Sequence, residues 1–175
     1  MSLRGGIGLP ELPIEDGREF RLGIMGGTFD PIHYGHLVTA EQARESLDLD
    51  AVLFMPAGSP AFKLDKPVTP AEDRYAMTVL ATAANPAFLA SRFEIDRAGV
   101  TYTADTLRAL REFYPPQVKL YFITGADAII DIVTWHHADE IAELATFIAA
   151  TRPGFDIDTA RARIKESGLP FDVRY

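Results

Sequence analysis

A Rossmann-like α/β fold, a doubly wound parallel sheet in a single domain, is predicted by three features of the sequence. From Phe20 onward, short apolar runs alternate with amphipathic stretches. Such an order buries a parallel sheet between two helical layers joined by right-handed crossovers. The length of 175 residues is near that of one domain, and a hydrophobic share of 47% is enough to fill a core. No repeat, low-complexity tract or linker marks a second domain.

The apolar runs at residues 21–25 and 51–55 read as buried parallel strands. Between them Leu37, Ala40, Ala43 and Leu47 recur three or four apart, one apolar stripe on a helix over residues 35–46. Thr69-Pro70-Ala71-Glu72 announces the next helix, with Thr69 as N-cap, Pro70 in the first turn and Glu72 at the capping-box position. Asn85-Pro86 stops it. A strand is expected over residues 89–95, then a helix over 104–113 with Thr103 as N-cap, Leu107 and Leu110 inward, and Pro115-Pro116 at its end. Residues 118–123 read as a strand, 127–133 and 138–144 as helices, 146–150 as a strand, 158–166 as a weaker helix and 171–173 as a final strand. The loop over residues 56–68 is the longest irregular stretch and the candidate for a mobile lid. Residues 1–19, rich in Gly, Pro and charge, are expected to form a loose tail outside the fold.

Composition narrows the function. Lys+Arg 17 against Asp+Glu 25 gives a net charge of −8, which opposes nonspecific attraction to a nucleic-acid backbone but allows a small anion held by local donors. The absence of cysteine excludes disulfides, thiolate nucleophiles and cysteine-based zinc sites. No apolar run approaches the roughly 18 residues of a membrane span, and the N-terminus lacks the apolar core of a secretory signal. Neither nucleic acid nor membrane is therefore an expected partner, and the cytoplasm is the default location.

The chemistry concentrates in Gly26-Gly27-Thr28-Phe29-Asp30-Pro31-Ile32-His33-Tyr34-Gly35-His36, between the first strand and the first helix, where an open parallel sheet places its ligand. The segment matches neither G-x-G-x-x-G nor G-x-x-x-x-G-K-S/T, which removes the usual support for dinucleotide redox chemistry and Walker-type hydrolysis. Two glycines let the backbone approach a ligand, while His33 and His36 share one side of a helix N-terminus that attracts phosphate through its free N–H groups and dipole. A metal pair in H-x-x-H spacing is disfavoured because no third ligand is evident nearby, so no protein metal site is expected. Imidazoles in this position can instead donate to the charge of a phosphoryl-transfer transition state without a covalent step.

This segment closely resembles the H-x-G-H signature of the nucleotidyltransferase superfamily, in the form found in bacterial nicotinate-nucleotide adenylyltransferases. Three further stretches resemble the same family in the same order. They are Thr101-Tyr102-Thr103-Ala104-Asp105-Thr106-Leu107 (Y-T-x-D-T-L), Gly125-Ala126-Asp127 followed by Trp135 (G-A-D-x(7)-W), and Thr151-Arg152-Pro153-Gly154 (S-R-P-G). The resemblance implies transfer of AMP from ATP to nicotinate mononucleotide, with residues 20–175 as the nucleotidyltransferase domain. It implies His33 and His36 as catalytic donors to the α-phosphate, and Mg²⁺, carried by the substrate phosphates, as the aid to pyrophosphate departure. Gly26, Gly27, Thr28 and Phe29 would line the nucleotide channel, with Lys63, Gly125, Asp127 and Arg152 as further nucleotide contacts. Thr103 and the backbone N–H of His136 would bind the pyridine carboxylate, with Trp135 stacked on the ring.

Alone, Trp135 would read as core packing and Lys63 as a solvated lysine. Asp73 and Arg74 match the family's helix after the lid, where a solvated salt bridge is the expected role. The family pattern departs at Phe62, where histidine or glutamine is common before the lid lysine. It departs again after Phe155, where nothing matches I-S-x-T-x-I/V-R, the segment that clamps the ATP phosphates; the domain is thus expected to lack that clamp. Competing readings are another member of the superfamily, such as phosphopantetheine adenylyltransferase or a cytidylyltransferase, and a nucleotide-binding module without catalysis. Assembly into a homo-oligomer is left open by the sequence.

Overall fold

The computed structural model of the chain describes residues 8–59, 67–151 and 154–175. Its centre is a six-stranded parallel sheet of β1 (Phe20–Gly27), β2 (Ala51–Pro56), β3 (Phe88–Ala90), β4 (Val118–Gly125), β5 (Thr146–Ala150) and β6 (Val173–Arg174). The strand order is β3-β2-β1-β4-β5-β6. The chain thus winds outward from β1 in one direction, then returns to its other side through β4. The gap between the carboxyl ends of β1 and β4 is the topological switch point, where such sheets hold ligands. The expected doubly wound parallel α/β architecture is the one observed.

The helices are α1 (Tyr34–Ser46), α2 (Ala71–Thr82), α3 (Thr103–Phe113), α4 (Ala126–Ile130), α5 (Ala138–Leu144) and α6 (Ile157–Ser167), with a 3₁₀ turn at Ile132–Thr134. Successive strand residues enter opposite cores because their side chains alternate. Leu22, Ile24, Leu53, Met55, Leu120 and Phe122 pack with Leu107, Leu110, Ile129 and Ile141 on one face. Met25, Val52, Phe54, Ile123 and Ile148 pack with Ala40 and Ala43 of α1 on the other.

Several local expectations are corrected. Residues 8–19 are not a loose tail: Leu9 is buried and Leu12 and Ile14 lie against the core. The carbonyls of Gly8 and Pro10 accept from Ser91 Oγ at 2.7 Å and Tyr114 Oη at 2.6 Å. Three apolar side chains among the prolines are enough to lay this stretch on the domain. The third strand stops at Ala90: the Ser91 N–H still donates to Phe54 O, but its hydroxyl turns to Gly8, and the chain then tightens into a turn in which the Asp96 N–H donates to Arg92 O. Thr69 does not cap α2; Pro70 holds the N-cap position and the Thr69 N–H donates to Asp30 Oδ2 at 3.0 Å. Thr103 is the first helical residue of α3 behind an extended Tyr102, so it is not the N-cap. The expected helix over 127–133 is the short α4 followed by the 3₁₀ turn. No helix among the described residues is long and apolar enough to cross a membrane.

Candidate active site

Strand β1 delivers Gly26 and Gly27 to the carboxyl edge of the sheet, and the loop that follows leads into α1. His33 occupies the N-cap position in an extended conformation, and His36 lies on the first turn. Their rings stack at 3.8 Å between centroids with planes 27° apart. Gly35 makes this stack possible, since a Cβ there would lie 2.9 Å from His33 Cε1 and 3.0 Å from its Nδ1. The glycine of the H-x-G-H pattern thus has a steric reason: the His33 ring occupies the space of its missing side chain.

The backbone N–H of His33 donates to His36 Nδ1 at 3.2 Å. That acceptor role assigns the His36 proton to Nε2, leaving Nε2–H as the donor. Burial, and secondarily the neighbouring His33, hold the His36 imidazole below its ordinary value of 6.5. The ring is therefore neutral at pH 7 and able to donate. The Phe29 ring stands edge-on to it at 5.0 Å.

These histidines open onto a cleft of about 590 Å³, lined also by Gly26, Thr124, Gly125, Ala150 and Thr151, across the ends of β1, β4 and β5. A second cleft of about 490 Å³ is lined by Thr101, Tyr102, Thr103, Asp131, Thr134, Trp135 and His136. Trp135 is half-buried and meets Phe122 and Phe147 edge-on at 6.2 and 6.4 Å, so it is both core and cleft wall. Tyr102 lies over the His136 ring at 4.4 Å. Thr101 Oγ1, in the same wall, is buried with no hydrogen-bond partner among the described residues.

The sequence-predicted residues therefore fall into two groups: His33, His36, Gly26 and Gly125 around the first cleft, and Thr103, Trp135 and His136 around the second. Asp127 is exposed on α4, just beyond Gly125. Gly27 and Thr28 lie behind the first cleft, with the Gly27 carbonyl accepting from Ala57 N–H at 2.8 Å. Phe29 is a correction: at 2% exposure its ring is core beneath His36, in contact with Phe54, and does not line the channel. Lys63, Phe62 and Arg152 lie outside the described residues.

Sequence reasoning misplaced Arg74. Among the described residues it forms no solvated salt bridge, and at 1% exposure it is the largest fully buried side chain. Its guanidinium donates to the carbonyls of Thr28 (2.7 Å), Ala57 (2.7 Å), Gly58 (3.1 Å) and Thr69 (2.8 Å). Burial pulls its pKa below the ordinary value, while the charge of Asp30 opposes that shift. The adjacent carboxylate Asp73 suggested an ion pair, and no local pattern signals carbonyl acceptors from two separate loops. Glu94 was also missed; its carboxylate accepts from Thr106 Oγ1 at 2.7 Å, and burial raises its pKa to about 7.

A histidine pair at the first helix of a doubly wound parallel sheet, aimed into a cleft at the switch point, defines a nucleotidyltransferase-type α/β domain. Residues 24–169 match the cytidylyltransferase-like family model. A "Probable nicotinate-nucleotide adenylyltransferase" of Moorella thermoacetica is 57% identical over 160 residues, covering 90% of this chain and 72% of the relative. Another of that name, from Saccharopolyspora erythraea, is 58% identical over 140 residues, covering 80% of this chain and 66% of the relative. The chain belongs to the cytidylyltransferase-like family and, within it, to the nicotinate-nucleotide adenylyltransferases. It spans between 64% and 76% of the length of such relatives. The fold matches that of the Plasmodium falciparum nicotinic acid mononucleotide adenylyltransferase complexed with NaAD, with a TM-score of 0.72 at 22% identity over 89% of this chain and 73% of that one.

Proposed function

We propose that the chain transfers AMP from ATP to nicotinate mononucleotide, giving deamido-NAD and pyrophosphate. The observation that carries this reading is the stacked His33–His36 pair at the start of α1, with a neutral His36 whose Nε2–H is left to donate. In the reaction the phosphate of nicotinate mononucleotide attacks the α-phosphorus of ATP, and the bond to the bridging oxygen of pyrophosphate breaks. Charge grows on the α-phosphate oxygens, and fixed donors aimed there lower the barrier without reorganising. Nε2–H of His36, the ring of His33 and the positive end of α1 supply those donors. Gly26 and Gly125 bring the backbone against the nucleotide, and Asp127, Lys63 and Arg152 complete its contacts on the strength of the family resemblance.

The second cleft suits the pyridine end. Thr103 and the His136 N–H would bind the carboxylate, and Trp135 would stack on the ring. Mg²⁺ would enter on the triphosphate oxygens and supply charge neutralisation to the departing pyrophosphate.

The test is pyrophosphate release from ATP and nicotinate mononucleotide, with the nicotinamide mononucleotide as competitor. The expected result is turnover that needs both substrates, with the acid preferred, because an amide would turn an NH₂ toward a donor. Equal affinity for the two mononucleotides would overturn the pocket assignment. Turnover with phosphopantetheine in place of a pyridine mononucleotide would overturn the substrate.

A further inference from the structure

The loop between β1 and α1 carries a constraint that the reaction chemistry does not explain. Phe29 has φ of 49°, a left-handed conformation that bulky residues rarely adopt and that persists only where neighbours impose it. The ring it directs inward is the one that meets His36 edge-on. Immediately before it, the Thr28 carbonyl is bound by Arg74 Nη1, and the same guanidinium binds Ala57 and Gly58 after β2 and Thr69 before α2. One buried cation thus ties the loop below the histidines to chain segments on either side of residues 60–66.

We propose that Arg74 is a positioning residue for the transfer reaction: by fixing the Thr28 carbonyl it holds Phe29 in its left-handed conformation and so sets the seat of His36. This rests on the reaction proposed above. Arg74 itself lines neither cleft, so it acts on the substrate indirectly, through the residues it seats, His36 foremost. A donor that acts on transition-state charge loses kcat when misplaced, and a displacement of about 1 Å can cost ~10²-fold.

Arg74→Ala would strip four carbonyls at once, so the informative change is Arg74→Lys, which keeps the charge and three donors. A matched control is Arg111→Lys. Arg111 also binds backbone carbonyls, those of Leu144 and Val118, but at the amino-terminal edge of the sheet, away from the clefts. For Arg74→Lys, kcat is expected to fall by about 10- to 100-fold with KM for ATP changed by less than about threefold. Amide exchange at Ala57 and Thr69 should accelerate, and the His36 ring resonances should move. Arg111→Lys should lower the melting temperature but leave kcat and those resonances in place. If both variants lose kcat in proportion to their lost melting temperature, Arg74 is merely structural and the proposal is overturned. The exchange and resonance readouts need no substrate, so they decide the positioning role even if pyrophosphate release shows the assigned reaction to be wrong. Unchanged His36 resonances and unchanged exchange at Ala57 and Thr69 in Arg74→Lys overturn it.

Discussion

Replacing Glu94 by glutamine should change how stability depends on pH, and the structure gives the size of the change. Glu94 is wedged between two elements. A side chain at Gly58 would collide with its carbonyl oxygen, and its carboxylate takes the hydroxyl of Thr106 at 2.7 Å. Burial is the main reason its pKa rises from 4.5 to about 7; the Thr106 hydrogen bond and the charge of Arg97 pull the other way. The folded state therefore holds a proton that the unfolded state releases near 4.5. Its stabilising effect is complete below that value and lost as pH rises through about 7. At about 1.4 kcal/mol per pH unit the loss between pH 4.5 and about 7 amounts to at most ~3.5 kcal/mol, with partial solvent access at the side chain reducing it.

Glutamine keeps an oxygen for Thr106 and cannot ionise, so Glu94→Gln should remove this dependence. The assay is thermal melting of both proteins from pH 5 to pH 8.5. The variant's melting temperature relative to the parent should rise with pH and level off above about 8. For a domain of this size 1 kcal/mol corresponds to about 2–4 °C, so the total change should reach several degrees and not exceed ~14 °C. Any fixed cost of burying the amide appears equally at every pH and drops out. A difference between variant and parent that stays constant across the range would refute the reasoning and leave Glu94 ionised in the folded protein.

Three further outcomes are expected. His36→Ala should lower the rate of pyrophosphate release by about 10² to 10³ while leaving the melting temperature within a few degrees, as loss of one transition-state donor does. Gly35→Ala should displace the His33 ring, which its new methyl would meet at 2.9 Å. It should therefore lower kcat at least about tenfold with no loss of helix stability, since alanine favours helix over glycine; rate and circular-dichroism melting together check this. Tyr114→Phe should remove the 2.6 Å bond to the Pro10 carbonyl and cost about 1 kcal/mol, read in urea unfolding, with faster proteolysis of the N-terminal stretch as its local signature.

The parallel sheet was legible because its evidence is periodic. Runs such as Ala51-Val52-Leu53-Phe54-Met55 are apolar on both faces, as only a strand covered on both sides allows, and the stripe of α1 repeats at helical spacing. What failed to show had no period to reveal it. Leu9, Leu12 and Ile14 are apolar enough to bury, but the prolines between them break any regular pattern, so the stretch read as tail. The end of β3 is set by a hydroxyl of Ser91 reaching Gly8, a contact across 83 positions that no window of sequence contains.

The site divides along the same line, between what a local motif contains and what only the fold assembles. The histidine pair is legible because its parts are adjacent: the N-cap, the glycine that makes room for a ring and the imidazole on the first turn all lie within Ile32-His33-Tyr34-Gly35-His36. The support beneath it is assembled from residues 28, 57, 58, 69 and 74, and its acceptors are backbone carbonyls, which every residue possesses. No residue type at those four positions is needed to accept from a guanidinium, so the sequence there carries no mark of the contact. The only chemical trace is the arginine itself, and on a helix beside Asp73 and Glu72 an arginine reads as a surface ion pair. Its burial follows from topology: β1 and β2 are neighbours, so the loops leaving their carboxyl ends converge, and their turned-in carbonyls meet on one shared donor.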